Sequence, residues 1–231
     1  MSLPVIEVRG LHYTYPDGTK AVRGVDFQLS AGESVALLGA NGSGKTTFLL
    51  HLAGLLRGEG DIRIGGLPLD EDTLAEIRRS VGYVFQDSDD QLFMPTVLED
   101  VAFGPLHRGV AVDESIRRAR EILSTLGISH LENRAPYHLS AGEKKRASLA
   151  GVLVMKPDVL IFDEPTTFLD PPGQNELARL LVELPQAKLI ATHDVYFAQR
   201  VAKRAVFFAE GRIAGDGPVE AIADRFHWRL S

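Results

Sequence analysis

Gly39-Ala40-Asn41-Gly42-Ser43-Gly44-Lys45-Thr46 fits the pattern G-x-x-x-x-G-K-[ST], follows the apolar run Val35-Ala36-Leu37-Leu38 and precedes Phe48-Leu49-Leu50-His51-Leu52. A strand, a glycine-rich loop and a helix in that order form a phosphate cradle. The glycines let backbone N–H groups turn inward around phosphate oxygens, and the helix that follows presents its positive end to the same charge. Gly39 and Asn41 to Thr47 are the candidate binding residues, with the Lys45 ammonium reaching the β and γ phosphates of a nucleoside triphosphate and the Thr46 hydroxyl on Mg²⁺. A glycine turn that holds nothing is the alternative, and the strand-loop-helix context argues against it.

Outward from the loop, the chain has 231 residues, 45% of them apolar, enough for one large domain with a buried interior. It has no cysteine, so disulfides and thiolate metal sites are excluded, and a reducing compartment is compatible with that composition. A net charge of −6 argues against nucleic acid as the principal partner. The basic clusters Arg117-Arg118-Ala119-Arg120 and Lys144-Lys145-Arg146 read as solvated helix faces. No run approaches the roughly 20 apolar residues that span a bilayer, and Met1 to Glu7 lacks the basic and apolar regions of a signal peptide. Any membrane role is expected to be peripheral.

Short apolar runs at Ser34 to Leu38, Gly82 to Phe85, Val159 to Phe162, Leu189 to Ala191 and Val206 to Ala209 read as buried parallel strands with helices between several of them. Val5 to Tyr15 and Val25 to Leu29 alternate like half-exposed antiparallel strands joined by a turn at Pro16-Asp17-Gly18, and Ile62 to Ile64 adds to them. From Asp87 to Lys156 the strand signal disappears and amphipathic helices take over, notably Asp113 to Leu126. The expected fold is α/β: a P-loop NTPase core of about residues 1–86 and 157–231 with an N-terminal antiparallel β subdomain, and an inserted helical subdomain of about 87–156, all in one domain.

A phosphate loop alone leaves kinases, GTPases, motors and transport ATPases open. Val159-Leu160-Ile161-Phe162-Asp163-Glu164 narrows the choice, because an apolar strand ending in two carboxylates places acid chemistry where a doubly wound sheet puts its ligand. Asp163 is the candidate Mg²⁺ holder and Glu164 the candidate base for the attacking water. Leu139-Ser140-Ala141-Gly142-Glu143 opens a helix-like run from Lys144 to Met155. Taken alone it is a capping box, yet Ser140 and Gly142 also stand where a helix start can meet an anion.

With that pentapeptide between the phosphate loop and the acid strand, the chain resembles the ATP-binding-cassette ATPases over essentially its whole length. The resemblance implies ATP and Mg²⁺ as cofactors. It makes Tyr15 the aromatic that stacks on adenine, Gln86 the glutamine between the γ-phosphate, Mg²⁺ and the helical subdomain, Thr167 to Asp170 a loop touching the opposite subunit, and His193 the switch histidine on the γ-phosphate. It implies a head-to-tail dimer, with a second copy or a homologous ATPase, in which each ATP lies between one phosphate loop and the other subunit's Ser140 and Gly142.

Tyr13 to Thr19, Val84 to Phe93 and Val97 to Pro105 are similar to the ATPase subunits of energy-coupling-factor importers, which take up cobalt, nickel, biotin and other vitamins. That likeness implies integral membrane partners and a place on the cytoplasmic face of the membrane. The chain stops soon after Asp216-Gly217-Pro218, where longer members carry an extension; this favours a homodimeric metal-uptake type over a heterodimeric vitamin type. Ala141, Glu143 and Phe168 depart from the family pattern at the expected seam. A soluble cassette of DNA repair or translation, the competing class, would need a long coiled coil or a second cassette, and a P-loop kinase would lack the signature. Gln91-Leu92-Phe93-Met94-Pro95, apolar side chains after a polar run, is either subdomain core or a groove for a helix of the membrane partner.

Overall fold

The structure, a computed structural model, describes residues 4–228; Met1 to Leu3, part of the stretch read for a leader, lie outside it. The chain runs β1 (Pro4–Thr14), β2 (Lys20–Ser30), β3 (Ser34–Leu38), α1 (Lys45–Leu52), β4 (Glu59–Ile64), β5 (Leu67–Pro68), α2 (Leu74–Ser80) and β6 (Val81–Val84). Helices α3 (Val97–His107), α4 (Val112–Thr125) and α5 (Ala141–Leu153) follow. The last part holds β7 (Val159–Asp163), α6 (Pro171–Glu183), β8 (Ala187–Ala191), α7 (Val195–Val201), β9 (Arg204–Ala209), β10 (Arg212–Pro218) and α8 (Val219–Arg225).

Two sheets result, a four-stranded one ordered β2-β1-β4-β5 and a six-stranded one ordered β10-β9-β3-β8-β7-β6. In the second, β9, β3, β8, β7 and β6 pair in parallel, and only the edge strand β10 is antiparallel. Strand β10 is not foreseen from the sequence, since Gly215, Gly217 and Pro218 are poor strand residues; at a sheet edge they are tolerated. Its hairpin turns on Glu210 and Gly211, both at positive φ, 49° and 77°.

Burial from both sides explains why the parallel strands read as continuous apolar runs. Every residue of β7 and β8 is buried. Because successive side chains point to opposite faces, Val35, Leu37, Val159 and Ile161 join Phe48, Leu49 and Leu52 of α1 and the inner face of the antiparallel sheet in one cluster. Ala36, Leu38, Leu160 and Phe162 join Val101, Ala119, Ala147 and Leu153 of α3, α4 and α5 in the other. Helix α1 is thus sandwiched between the sheets, which fixes the loop before it. Between residues 85 and 158 there is no strand, and α4 begins one residue before the expected Asp113. Leu92 is only 9% exposed and belongs to the second cluster, so it is core; Phe93 beside it is 64% exposed.

Candidate active site

The loop from Gly39 to Gly44 turns at the carboxyl end of β3, and contact demands glycine at its first and last positions. A Cβ on Gly39, at φ 145°, would lie 2.2 Å from the Phe208 carbonyl oxygen, and one on Gly44, at φ 105°, 2.2 Å from that of Ala21. The Lys45 ammonium curls back into the loop, donating to the carbonyls of Gly39 (2.7 Å) and Ala40 (3.0 Å). Burial lowers its pKa, opposed by Glu164 and Asp163. Inside the same loop the Ser43 hydroxyl is buried with no protein partner, an orphan that a phosphate oxygen would satisfy.

The acid strand arrives near this loop because only β8 separates β7 from β3 in the sheet. Asp163 accepts from the Thr46 hydroxyl (3.2 Å, Oδ1) and from the Tyr83 hydroxyl (3.2 Å, Oδ2). Burial raises its pKa, and the bonds from Thr46 and Tyr83 oppose that rise. Burial, with Asp163 alongside, pushes the Tyr83 phenol well above its ordinary value, so Tyr83 remains a donor to the carboxylate. Tyr83 was missed in the sequence; its one signal is a phenol facing out of a buried strand.

Glu164 sits just past the strand at φ 44°, left-handed backbone that costs a residue of this kind about 1–3 kcal/mol. Its N–H is tied to the Ala191 carbonyl (2.9 Å), which holds it there. Oε2 accepts from His193 Nδ1 (2.8 Å) and from the His193 backbone N–H (3.3 Å). Oε1 is buried without a hydrogen bond, 4.0 Å from the Lys45 ammonium. A carboxylate is therefore presented with one oxygen oriented and one free, beside the loop's cation.

A cleft of about 910 Å³ collects most of the expected site residues: Tyr15, Asn41, Gly42, Gly44, Lys45, Thr46, Thr47, Gln86, Glu164 and His193 line it. Gly39, Ser43 and Asp163 lie buried behind its wall. Tyr15 donates to or accepts from the Thr47 hydroxyl at 3.1 Å and meets Tyr13 edge-on at 4.9 Å. Tyr13 in turn packs edge-on against His51, whose Nδ1 lies 2.7 Å from the Thr47 carbonyl. The Gln86 side chain is exposed and makes no hydrogen bond to Thr46 or Asp163; its carbonyl accepts from the buried Lys145 ammonium (2.9 Å).

Ser140 and Gly142 lie outside the cleft. Ser140 caps α5 in a full capping box, its hydroxyl and N–H both 2.8 Å from Glu143 Oε2. Phe168 is 71% exposed at φ 67° on the loop before α6. Within one chain nothing brings the signature to the phosphate loop.

A Mg²⁺ site fits the donors present. Thr46 and Asp163 offer hard oxygens side by side, and Mg²⁺ takes one or two protein ligands together with substrate phosphates. Among the described residues no cluster of three or more His, Cys, Asp or Glu could hold a metal by itself.

The phosphate loop, the strained glutamate beside it and a capped signature helix define a nucleotide-hydrolysing cassette. The ABC transporter family model matches residues 22–167, and the chain belongs to that family and is an ATPase of it. It is 51% identical to a putative ABC transporter ATP-binding protein of Geobacter sulfurreducens, over 96% of this chain and 90% of that one. Identity is 47% to the energy-coupling factor transporter ATP-binding protein EcfA of Methanothermobacter thermautotrophicus, over 95% of this chain and 73% of that one. Among solved structures, cbiO1 of Clostridium perfringens, part of the ABC transporter complex cbiONQ, superposes with a TM-score of 0.87 at 39% identity, covering 96% of this chain and 92% of that one. The dimeric cassette MJ0796 bound to ADP and Pi gives 0.83 at 27% identity, over 93% and 98%.

Proposed function

We propose that this chain is the ATPase of an energy-coupling-factor importer that takes up a transition-metal ion, cobalt or nickel, working on the cytoplasmic face of the membrane as a head-to-tail dimer bound to integral membrane subunits. The observation that carries the ATP-driven dimer is the separation within one chain of a finished phosphate cleft from an outward-facing signature at Ser140 and Gly142. Likeness to cbiO1 and to EcfA supports the importer type. No described helix is long and apolar enough to cross a membrane, which agrees with a role that needs membrane partners.

In this reading adenine stacks on Tyr15, and the loop N–H groups with Lys45 take the phosphates. Thr46, Asp163 and, once it swings inward, Gln86 hold Mg²⁺, which when bound neutralises charge on the β and γ phosphates. Glu164 accepts a proton from the water whose oxygen forms the new bond to the γ-phosphorus as the bond to the bridging oxygen breaks. His193, held by Glu164 through Nδ1, keeps Nε2 for the γ-phosphate. Residues 87–156 act as the helical subdomain that carries the signature. ATP touches both subunits only in the closed dimer, and that differential contact is what drives closure. Phe93 and Phe103, exposed and edge-on at 5.0 Å, with Leu106 nearby, give the membrane subunit an apolar anchor on the same subdomain.

The test is ATP-dependent uptake of radioactive cobalt, nickel or biotin by vesicles holding the chain with the membrane proteins that co-purify with it. Metal uptake that stops in Glu164→Gln is the expected result. Uptake of biotin alone would move the chain to the vitamin importers, the reading that its likeness to EcfA keeps alive.

A further inference from the structure

Two buried lysines, Lys145 and Lys188, have no part in the catalytic reading, and of these Lys145 reaches the segment that carries Gln86. It lies on α5, five residues after the Ser140 cap, and is only 3% exposed. Its ammonium donates to two consecutive carbonyls, Phe85 (3.0 Å) and Gln86 (2.9 Å), where the chain leaves β6. Burial lowers its pKa to about 8, partly offset by Asp87 and Asp163. Keeping a desolvated ammonium here is expensive where packing alone would be served by a methionine. Two converging carbonyls, however, require a donor with more than one hydrogen.

The same two segments are joined at two other points. Gln91 receives the Phe85 N–H at 3.4 Å and donates to the Ser148 carbonyl of α5 at 2.8 Å. Lys144 pairs with Asp89 at 2.6 Å. Lys145 is the buried strut among the three, and the one that grips Gln86 itself. Five residues of helix separate it from Ser140, about 7.5 Å along a rigid rod.

We propose that Lys145 is a positioning residue of the ATPase cycle: it locks the Gln86 segment to the signature helix, so that seating Gln86 on the nucleotide in one subunit sets the place at which that subunit offers Ser140 and Gly142 to its partner. This rests on the sandwich reading above. A capped helix tied at its base to the strand end can shift only with that strand end, which supplies the physical connection that coupling between sites needs.

The experiment compares Lys145→Met and Lys145→Arg, each alone and with Glu164→Gln, following thermal stability, ATP affinity of the dilute chain, turnover, and ATP-induced dimerisation. Lys145→Met is expected to fold and to bind ATP within about twofold of the parent. Its turnover should fall at least tenfold, and its Glu164→Gln dimer should need at least tenfold more protein; Lys145→Arg should restore most of both. Normal turnover and dimerisation in folded Lys145→Met would overturn the proposal. So would a loss of ATP affinity in parallel with the loss of dimerisation, which marks a purely structural staple. Should Lys145→Met not fold, Gln91→Met removes the neighbouring strut and should shift dimerisation alone, by about two- to fivefold; an unchanged dimer would equally overturn it. If Glu164→Gln with native Lys145 does not dimerise with ATP at all, the sandwich reading fails first, and this proposal with it.

Discussion

The phosphate-loop half of the site and the signature half are built by opposite means. Around Lys45 the main groups are fixed in place: a Cβ on Gly39 or Gly44 would lie 2.2 Å from a backbone oxygen, Glu164 is fixed at positive φ, and Asp163 is gripped by Thr46 and Tyr83. Around Ser140 the order is local, one capping box on an exposed helix start. A half that is organised without its ligand can bind and orient a nucleotide by itself. A half that is merely capped becomes a site only when another surface is brought to it.

That contrast predicts where each substitution will strike. Glu164→Gln removes the proposed base and leaves the preformed half otherwise whole, so turnover should fall by roughly 10²- to 10⁴-fold while ATP binding persists. An ATPase assay beside equilibrium binding checks both. Turnover near that of the parent would take Glu164 out of the chemistry and end the assignment of the strained position to catalysis.

Ser140→Arg strikes the other half. A long cation at the helix start should block the ATP-induced dimer that Glu164→Gln forms, yet leave the dilute chain's ATP affinity unchanged, because the cleft is complete without Ser140. Light scattering with ATP decides it; equal dimerisation of the two variants would show that the halves do not meet across a seam.

Phe93→Glu tests the outer face of the same subdomain. Co-purification of the membrane subunit and uptake should be lost with ATP binding intact. Leu92 is unsuited to that test: the apolar run after Asp90 is split, Leu92 facing the core and Phe93 solvent, and a charge at Leu92 would unfold the subdomain.

The preformed half was also the legible one. A phosphate loop, its strand and its helix are contiguous in sequence, and β7 announces itself by an apolar run that stops at two acids. The contacts of Tyr83 and Lys145 were not legible, because each joins a strand end to a residue far along the chain, and no local pattern marks such a pair. Strand β10 escaped because its glycines and proline are tolerated only by virtue of its edge position. The signature was legible as a cap from its residues and as a binding site only through family resemblance, since in the proposed dimer half of what it would bind lies on another molecule.

Tyr15→Ala sharpens the comparison within the cleft. Stacking of a base on an aromatic ring is worth about 1–3 kcal/mol, so ATP affinity should drop about 5- to 150-fold with little change in thermal stability. Unchanged affinity would return Tyr15 to a packing role against Tyr13 and Thr47.

The smallest effect is expected from Glu143→Gln, and it separates the two jobs that meet at the helix start. Glutamine can still complete a capping box, so the helix should remain capped. The bonds from Ser140 hold the Glu143 carboxyl below its usual range. A depressed folded pKa contributes stability that is present above the unfolded value and is lost as pH falls through the folded one, so the variant should lose a little stability at neutral pH and none further on acidification. For dimerisation the sign reverses. A carboxylate occupies both Ser140 donors and sets a negative charge where polyphosphate must approach, so removing it should lower the ATP concentration for half-dimerisation by about two- to fivefold. That gain should shrink as salt is raised, because the repulsion it relieves is exposed and screened. Dimerisation that is harder in Glu143→Gln at every salt concentration would mean that Glu143 helps to hold the seam, and that the signature half, too, is organised before its partner arrives.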